Sequence, residues 1–150
     1  MPCVTPAGQP AGAATLVFDA SDLLDYFRHN RAPTGIQRVQ LNIIGEALAA
    51  TPGMAVAAFV AAEQVWKAVP HPLFTRLAAL SREGTSVADP AWRAALAAVQ
   101  EVLRDAPPLG LAAGCSLVNL GTSWWIPDYL RVVREAQQQH GLRYIPFIHD

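Results

Sequence analysis

A chain of 150 residues with 52% hydrophobic and 15% charged side chains carries enough apolar material to bury one modest core, which excludes a wholly disordered polypeptide. Eleven Lys+Arg against twelve Asp+Glu leave a formal net charge of −1, so there is no basic field for nucleic acid and no polybasic anchor for anionic lipid. The longest apolar run, residues 55–62, falls far short of the roughly 20 residues that a spanning helix needs, and the expected location is cytoplasmic.

Residues 1–14 are rich in Ala, Pro and Gly and lack the basic start and leucine-rich centre of a secretory signal, so they read as a flexible tail. Residues 15–19 form a short β-rich run, and residues 20–33 are polar and irregular. A helix opens at Thr34. Ile36, Val39, Ile43, Ile44, Ala47 and Leu48 recur at helical spacing, Gln37, Arg38, Asn42 and Glu46 take the other face, and Thr51-Pro52-Gly53 ends it. Residues 54–60 have strand length, and residues 64–69 read as a hairpin partner or an excursion closed by Pro70 and Pro72. Helices are expected over residues 72–81 and 90–104, each with proline in its first turn. Beyond Pro107-Pro108-Leu109-Gly110, residues 116–120 read as a strand. Residues 126–140 then read as a helix with Tyr129, Leu130, Val133 and Ala136 inward and Gly141 as its C-cap. Residues 142–150 complete the set as a buried strand delivering His149 and Asp150 to its tip. Strands alternating with helices predict an α/β fold, a Rossmann-like parallel sheet with flanking helices. Cys3 and Cys115 form neither a metal-ligand spacing nor a disulfide framework and read as free thiols.

Three stretches carry chemistry. In Arg31-Ala32-Pro33-Thr34-Gly35-Ile36-Gln37-Arg38 a proline–glycine loop runs straight into a helix. Gly35 has no Cβ to hold a phosphate away, and the N–H groups and dipole of the following turn favour an anion, with the Thr34 hydroxyl beside them. The plainer reading makes Thr34 an N-cap and Gly35 a turn residue. Neither a G-x-G-x-x-G fingerprint after the first strand nor a G-x-x-x-x-G-K-[ST] loop is present, which argues against nicotinamide-type dehydrogenases and P-loop hydrolases. In Asn119-Leu120-Gly121-Thr122-Ser123-Trp124-Trp125, small polar residues and tryptophans follow a strand end, a mix that suits a sugar. Here Thr122 and Trp124 are the candidates, and one of the two tryptophans is expected to pack between helix and sheet. The third stretch is His149-Asp150. A histidine at a strand tip can exchange hydrogen bonds near neutral pH, or it can serve a purely structural bond. No metal is expected, because no second His, Cys or carboxylate stands at ligand spacing beside His149. Arg131 and Arg134 at helical spacing read as a solvated face.

Phe18-Asp19-Ala20-Ser21, Pro33-Thr34-Gly35-Ile36-Gln37-Arg38-Val39, Leu120-Gly121-Thr122-Ser123-Trp124 and Tyr144-Ile145-Pro146-Phe147-Ile148-His149-Asp150, taken together, resemble one family. The chain is similar to the N-terminal part of bacterial retaining glycosyltransferases of the GT-B fold, called glycosyl transferases group 1 or family four. The resemblance implies that Thr34 and Gly35 lie against the donor diphosphate, where many relatives have two adjacent glycines. It implies that Gln37 lies toward the acceptor and that His149, with Asp150 beside it, sits by the transferred sugar. No cofactor is expected. The partners implied are a nucleotide-sugar donor and a saccharide or lipid-linked acceptor, in cell-surface or exported polysaccharide synthesis at the inner face of the membrane. The domain expected over residues 15–150 is the acceptor-side half of a GT-B fold, truncated, without the donor-binding C-terminal domain and inactive alone. A non-catalytic Rossmann-like binding or scaffolding module is the competing expectation; a hydrolase is disfavoured by the lack of a G-x-S-x-G elbow.

Overall fold

The computed structural model describes residues 14–149. Cys3, Asp150 and the expected tail, apart from Ala14, lie outside the described residues. In chain order the elements are β1 (Ala14–Asp19), α1 (Ser21–Phe27), α2 (Gly35–Ala50), β2 (Ala55–Val60), β3 (Val65–Val69), α3 (His71–Glu83) and α4 (Pro90–Asp105). They continue with β4 (Leu111–Asn119), a 3₁₀ turn (Ser123–Trp125), α5 (Tyr129–His140) and β5 (Arg143–Pro146).

The five strands form one sheet in the order β3-β2-β1-β4-β5. β1 pairs in parallel with β2 and β4, and β4 with β5, whereas β3 folds back antiparallel on β2. The fold class is therefore α/β and Rossmann-like, with a mostly parallel sheet flanked by helices. Residues 64–69 resolve as the hairpin partner, not an excursion: Gln64 adopts φ 57° at the turn and Val65–Val69 registers against Val60–Val56.

Alternation along β1 sends Phe18 to one face and Val17 to the other, and each seeds a core. On the first face, Leu23, Leu24 and Phe27 of α1, Leu41 and Ile44 of α2, Phe74 and Leu77 of α3 and Trp92 and Val99 of α4 pack over Phe18, Val56 and Val118. On the second face, α5 lays Tyr129, Val132, Val133 and Ala136 against Val17, Ala57, Phe59, Trp66 and Leu117. Full burial of each such aliphatic or aromatic side chain stabilises by roughly 1.5–3 kcal/mol. Gly141 caps α5 with φ 66°, in the left-handed region where only glycine is free of strain.

Four expectations are corrected. Residues 20–33 are not wholly irregular, because α1 occupies Ser21–Phe27; at seven residues it is too short for its apolar pattern to stand out. The inward face of α2 is rotated from the expected stripe: Gln40, Leu41 and Ile44 are buried while Val39 is 36% exposed, since Gln40 finds a polar partner inside. Leu130 is exposed and Val132 takes its place, because with Tyr129 buried the inward stripe runs through Tyr129, Val132, Val133 and Ala136, at i, i+3, i+4 and i+7, and Leu130 falls off it. The final strand is not buried: among the described residues β5 is a sheet edge with no strand beyond it, and Ile145, Phe147 and Ile148 are exposed.

Candidate functional site

The chain leaves β1 toward β2 on one side and returns through β4 on the other, so the connections after β1 and β4 diverge and open a crevice at the carboxyl ends of these strands. The two strand ends use one local device. Asp19 and Asn119 are register partners, and the side-chain oxygen of each accepts the N–H two residues on, Ser21 to Asp19 Oδ1 at 2.8 Å and Gly121 to Asn119 Oδ1 at 3.2 Å. Both residues are buried. Asp19 also accepts the Ser123 hydroxyl at 3.2 Å, the Trp66 indole N–H at 3.0 Å and the Tyr129 hydroxyl. Five donors or partners from β3, the 3₁₀ turn, α5 and the crevice itself therefore converge on two polar strand ends, which fixes the crevice floor. Burial, reinforced by the negative charge of Asp19, pushes the Tyr129 phenol far above its ordinary range and keeps it a donor. Burial also pushes up the Tyr144 phenol, whose oxygen accepts from Asn119 Nδ2 at 3.0 Å.

Asp22, in the first turn of α1, joins the two sides of the crevice. Its Oδ2 accepts from Gln40 Nε2 at 3.2 Å and its Oδ1 accepts from the Thr122 hydroxyl at 2.8 Å. Gly121 must be glycine for this bridge to form, because a Cβ there would lie 2.5 Å from Asp22 Oδ2 and 2.8 Å from Asp22 Cβ. With its hydrogen committed to Asp22, Thr122 has only acceptor capacity left for a ligand.

At the start of α2, Thr34 is the N-cap, as the plainer sequence reading had it, and Gln37 completes a capping box. Gln37 Oε1 accepts the Thr34 N–H at 3.2 Å and the Thr34 hydroxyl at 2.6 Å, so its amide NH₂ is what it offers outward. Gly35 is different in kind from Gly121. It is exposed, and an added Cβ would meet nothing within 4 Å, so neither packing nor backbone conformation calls for glycine at this first helical position. The first-turn N–H groups of Gly35 and Ile36 have no acceptor within the helix and carry the positive end of its dipole. Arg38 folds back to donate from Nε to the Pro33 carbonyl at 3.1 Å, placing a cation on the same turn.

His149 lies beyond β5 and is partly buried. Its Nε2 is 2.6 Å from the Leu120 carbonyl oxygen, an acceptor, so Nε2 carries the hydrogen. In the neutral ring Nδ1 is then an acceptor with an open lone pair. The segment is held there by the Phe147 N–H, which donates to the Asn119 carbonyl at 2.8 Å.

No protein-family model, curated protein or solved structure matches the chain. The site therefore rests on its own geometry.

That geometry connects Gln37 through one turn of α2 to Gln40, then through Asp22 to Thr122 and, two residues back along the chain, to Leu120 and His149. Hydrogen bonds thus join Gln40, Asp22 and Thr122 in one set, His149 and Leu120 in a second and Thr34 and Gln37 in a third; only the backbone of α2 and of residues 120–122 links the three sets. Trp124 joins none of them by a hydrogen bond, and neither tryptophan packs between helix and sheet: Trp124 is 40% and Trp125 is 54% exposed. Both sit in the 3₁₀ turn ahead of α5, and Tyr129 fills the helix–sheet seam that one of them was expected to fill. Asp150 lies outside the described residues. Among these residues no three His, Cys, Asp or Glu side chains are grouped so as to hold a metal ion, and Cys115 is a buried free thiol. Sequence reasoning missed Asp19, Asp22 and Asn119. The signal available was an Asp or Asn closing each of two strands with Ser or Gly two residues later, at Asp19-Ala20-Ser21 and Asn119-Leu120-Gly121.

Proposed function

We propose that this domain is the acceptor-side half of a sugar transferase that uses a nucleotide-sugar donor and delivers the sugar to a saccharide or lipid-linked acceptor. The observation that carries the reading is the Asp22 bridge, which ties Gln40 of the glycine-led helix α2 to Thr122 past the end of β4, two residues from the Leu120 carbonyl that His149 meets. Retaining transfer builds negative charge on the departing diphosphate, and preorganised N–H donors at Gly35 and Ile36 offset that charge without reorganising. A neutral His149 whose Nε2–H is tied to a backbone carbonyl accepts a sugar hydroxyl at Nδ1 and orients it. Thr122 Oγ1, restricted to accepting, suits a second hydroxyl. Its residues thus supply orientation and charge stabilisation, and no general base is assigned. Among the described residues no helix is long and apolar enough to cross a membrane.

The test is transfer of radiolabelled sugar from a panel of nucleotide sugars into lipid and saccharide fractions by the protein expressed from the complete reading frame encoding this chain. Transfer that drops at least about a hundredfold in His149→Ala supports the reading, in line with the loss of one oriented catalytic hydrogen bond. Absence of transfer with every nucleotide sugar sinks it.

A second reading has one observation of its own. The open edge of β5 with exposed Ile145, Phe147 and Ile148 suits a non-catalytic binding module that pairs with another chain. Monomeric behaviour at all concentrations by sedimentation would count against it.

A further inference from the structure

A cavity of about 640 Å³ lies between α1, the carboxyl end of β2, α4 and the 3₁₀ turn. It contains none of the residues assigned above to sugar transfer. Its volume falls in the range of small-molecule sites, and the carboxyl ends of parallel strands are where α/β sheets place ligands. Leu24, Phe59, Val99 and Leu103 give it an apolar wall. Ala58 and Ala61 at the end of β2 leave the space that larger side chains would occupy. Trp125 stands at the margin with more than half its surface exposed, offering an aromatic ring and an indole N–H.

Charge selects among ligands. Each charged side chain on the rim has its own counter-ion: Arg28 faces Asp25 at 3.8 Å, Glu63 faces the buried Lys67 ammonium at 2.8 Å, and Arg104 faces Asp105 at 3.8 Å. No unbalanced charge is left to attract an ionic ligand. The carbonyl end of α4 is balanced as well, because the Arg104 carbonyl accepts from the buried Lys67 ammonium at 3.4 Å. Gln100, exposed on the rim, is a neutral hydrogen-bonding handle. We propose that this cavity is a second binding site, adjoining the crevice at β1 and β4 through Ser21, which takes a neutral, flat, ring-containing ligand stacked on Trp125.

The site is tested on the full chain by two-dimensional amide NMR with 2-naphthol as neutral probe and 2-naphthoate as its anionic counterpart. Saturable shifts by 2-naphthol at Ala61, Leu103 and the Trp125 indole are expected, with 2-naphthoate at least about tenfold weaker. Trp125→Ala should weaken 2-naphthol about tenfold or more, and Ala61→Phe, which fills the space from the strand end, should abolish the shifts. Retention of the native amide spectrum in both variants separates loss of binding from loss of fold. Unchanged 2-naphthol binding in a folded Ala61→Phe protein, equal affinity for the anion, or shifts confined to other residues would each overturn the proposal.

Discussion

The Thr122 hydroxyl donates to Asp22 Oδ1 at 2.8 Å across a hundred residues of chain, and this bond ties the end of β4 to the helix that follows β1. The same carboxylate receives Gln40, so one side chain sets the spacing of both walls of the crevice. Thr122→Val removes the donor at nearly constant volume. Unfolding by urea should show a loss of about 1–2 kcal/mol, with the Gln40 bond left in place. A loss near zero would mean that the bond does not hold the walls together.

Gly121→Ala should destabilise by about 1–3 kcal/mol, because the added methyl overlaps Asp22 and the side chain must move. Pairing it with Asp22→Ala in a double-mutant cycle checks the cause: the two losses should be clearly less than additive.

Gly35→Ala should act in the opposite direction. Nothing obstructs the new methyl, and alanine stiffens the unfolded chain, so stability should rise by about 0.5 kcal/mol. If backbone there approaches a diphosphate, the same substitution should weaken binding of a nucleoside diphosphate. A variant that gains stability and keeps its full affinity would make Gly35 a bystander.

Asp19→Asn replaces an oxygen by an NH₂ where four donors converge, so one donor must face another. A loss of at least about 2 kcal/mol in urea unfolding is expected. A neutral substitution would show that the carboxylate is not what holds the 3₁₀ turn, β3 and α5 on the strand end.

Alkaline pH should destabilise the fold through Tyr129. Its phenol ionises near pH 10 in the unfolded chain and much higher in the folded one, so its contribution is complete below about pH 10 and is lost as pH rises above it. The slope is about 1.4 kcal/mol per pH unit for one such group, and Tyr144 shifts in the same direction. Thermal unfolding should show the Tm falling above about pH 10, with a shallower fall in Tyr129→Phe. A Tm unchanged between about pH 9 and 11 would contradict the burial of an un-ionised phenol beside Asp19.

The alternation of strands and helices was legible because it is written in local pattern. The 16-residue helix α2 and the proline-opened α3 and α4 match their expected ranges within a few residues. What local pattern could not show was partnership. Gln40 looks like a surface residue until Asp22 meets it, and Asp22 lies in a stretch too short to read as helix. The apolar run from Tyr144 to Ile148 reads as buried, yet burial depends on a neighbouring strand that its own sequence does not specify. Thr34, Gly35 and His149 were recognisable as candidates from their positions at element ends; that Thr122 shares a carboxylate with Gln40 was visible only in three dimensions.

The most direct measurement is an amide NMR titration of the chain with uridine, guanosine and adenosine diphosphates, following Gly35, Ile36, Gln37, Thr122 and His149 together. The account predicts saturable shifts with at least one diphosphate, centred on the first turn of α2 and propagated through the Asp22 bridge to Thr122. Shifts absent from these residues with all three, or concentrated on another face, would contradict the assignment of this crevice to a sugar-diphosphate reaction.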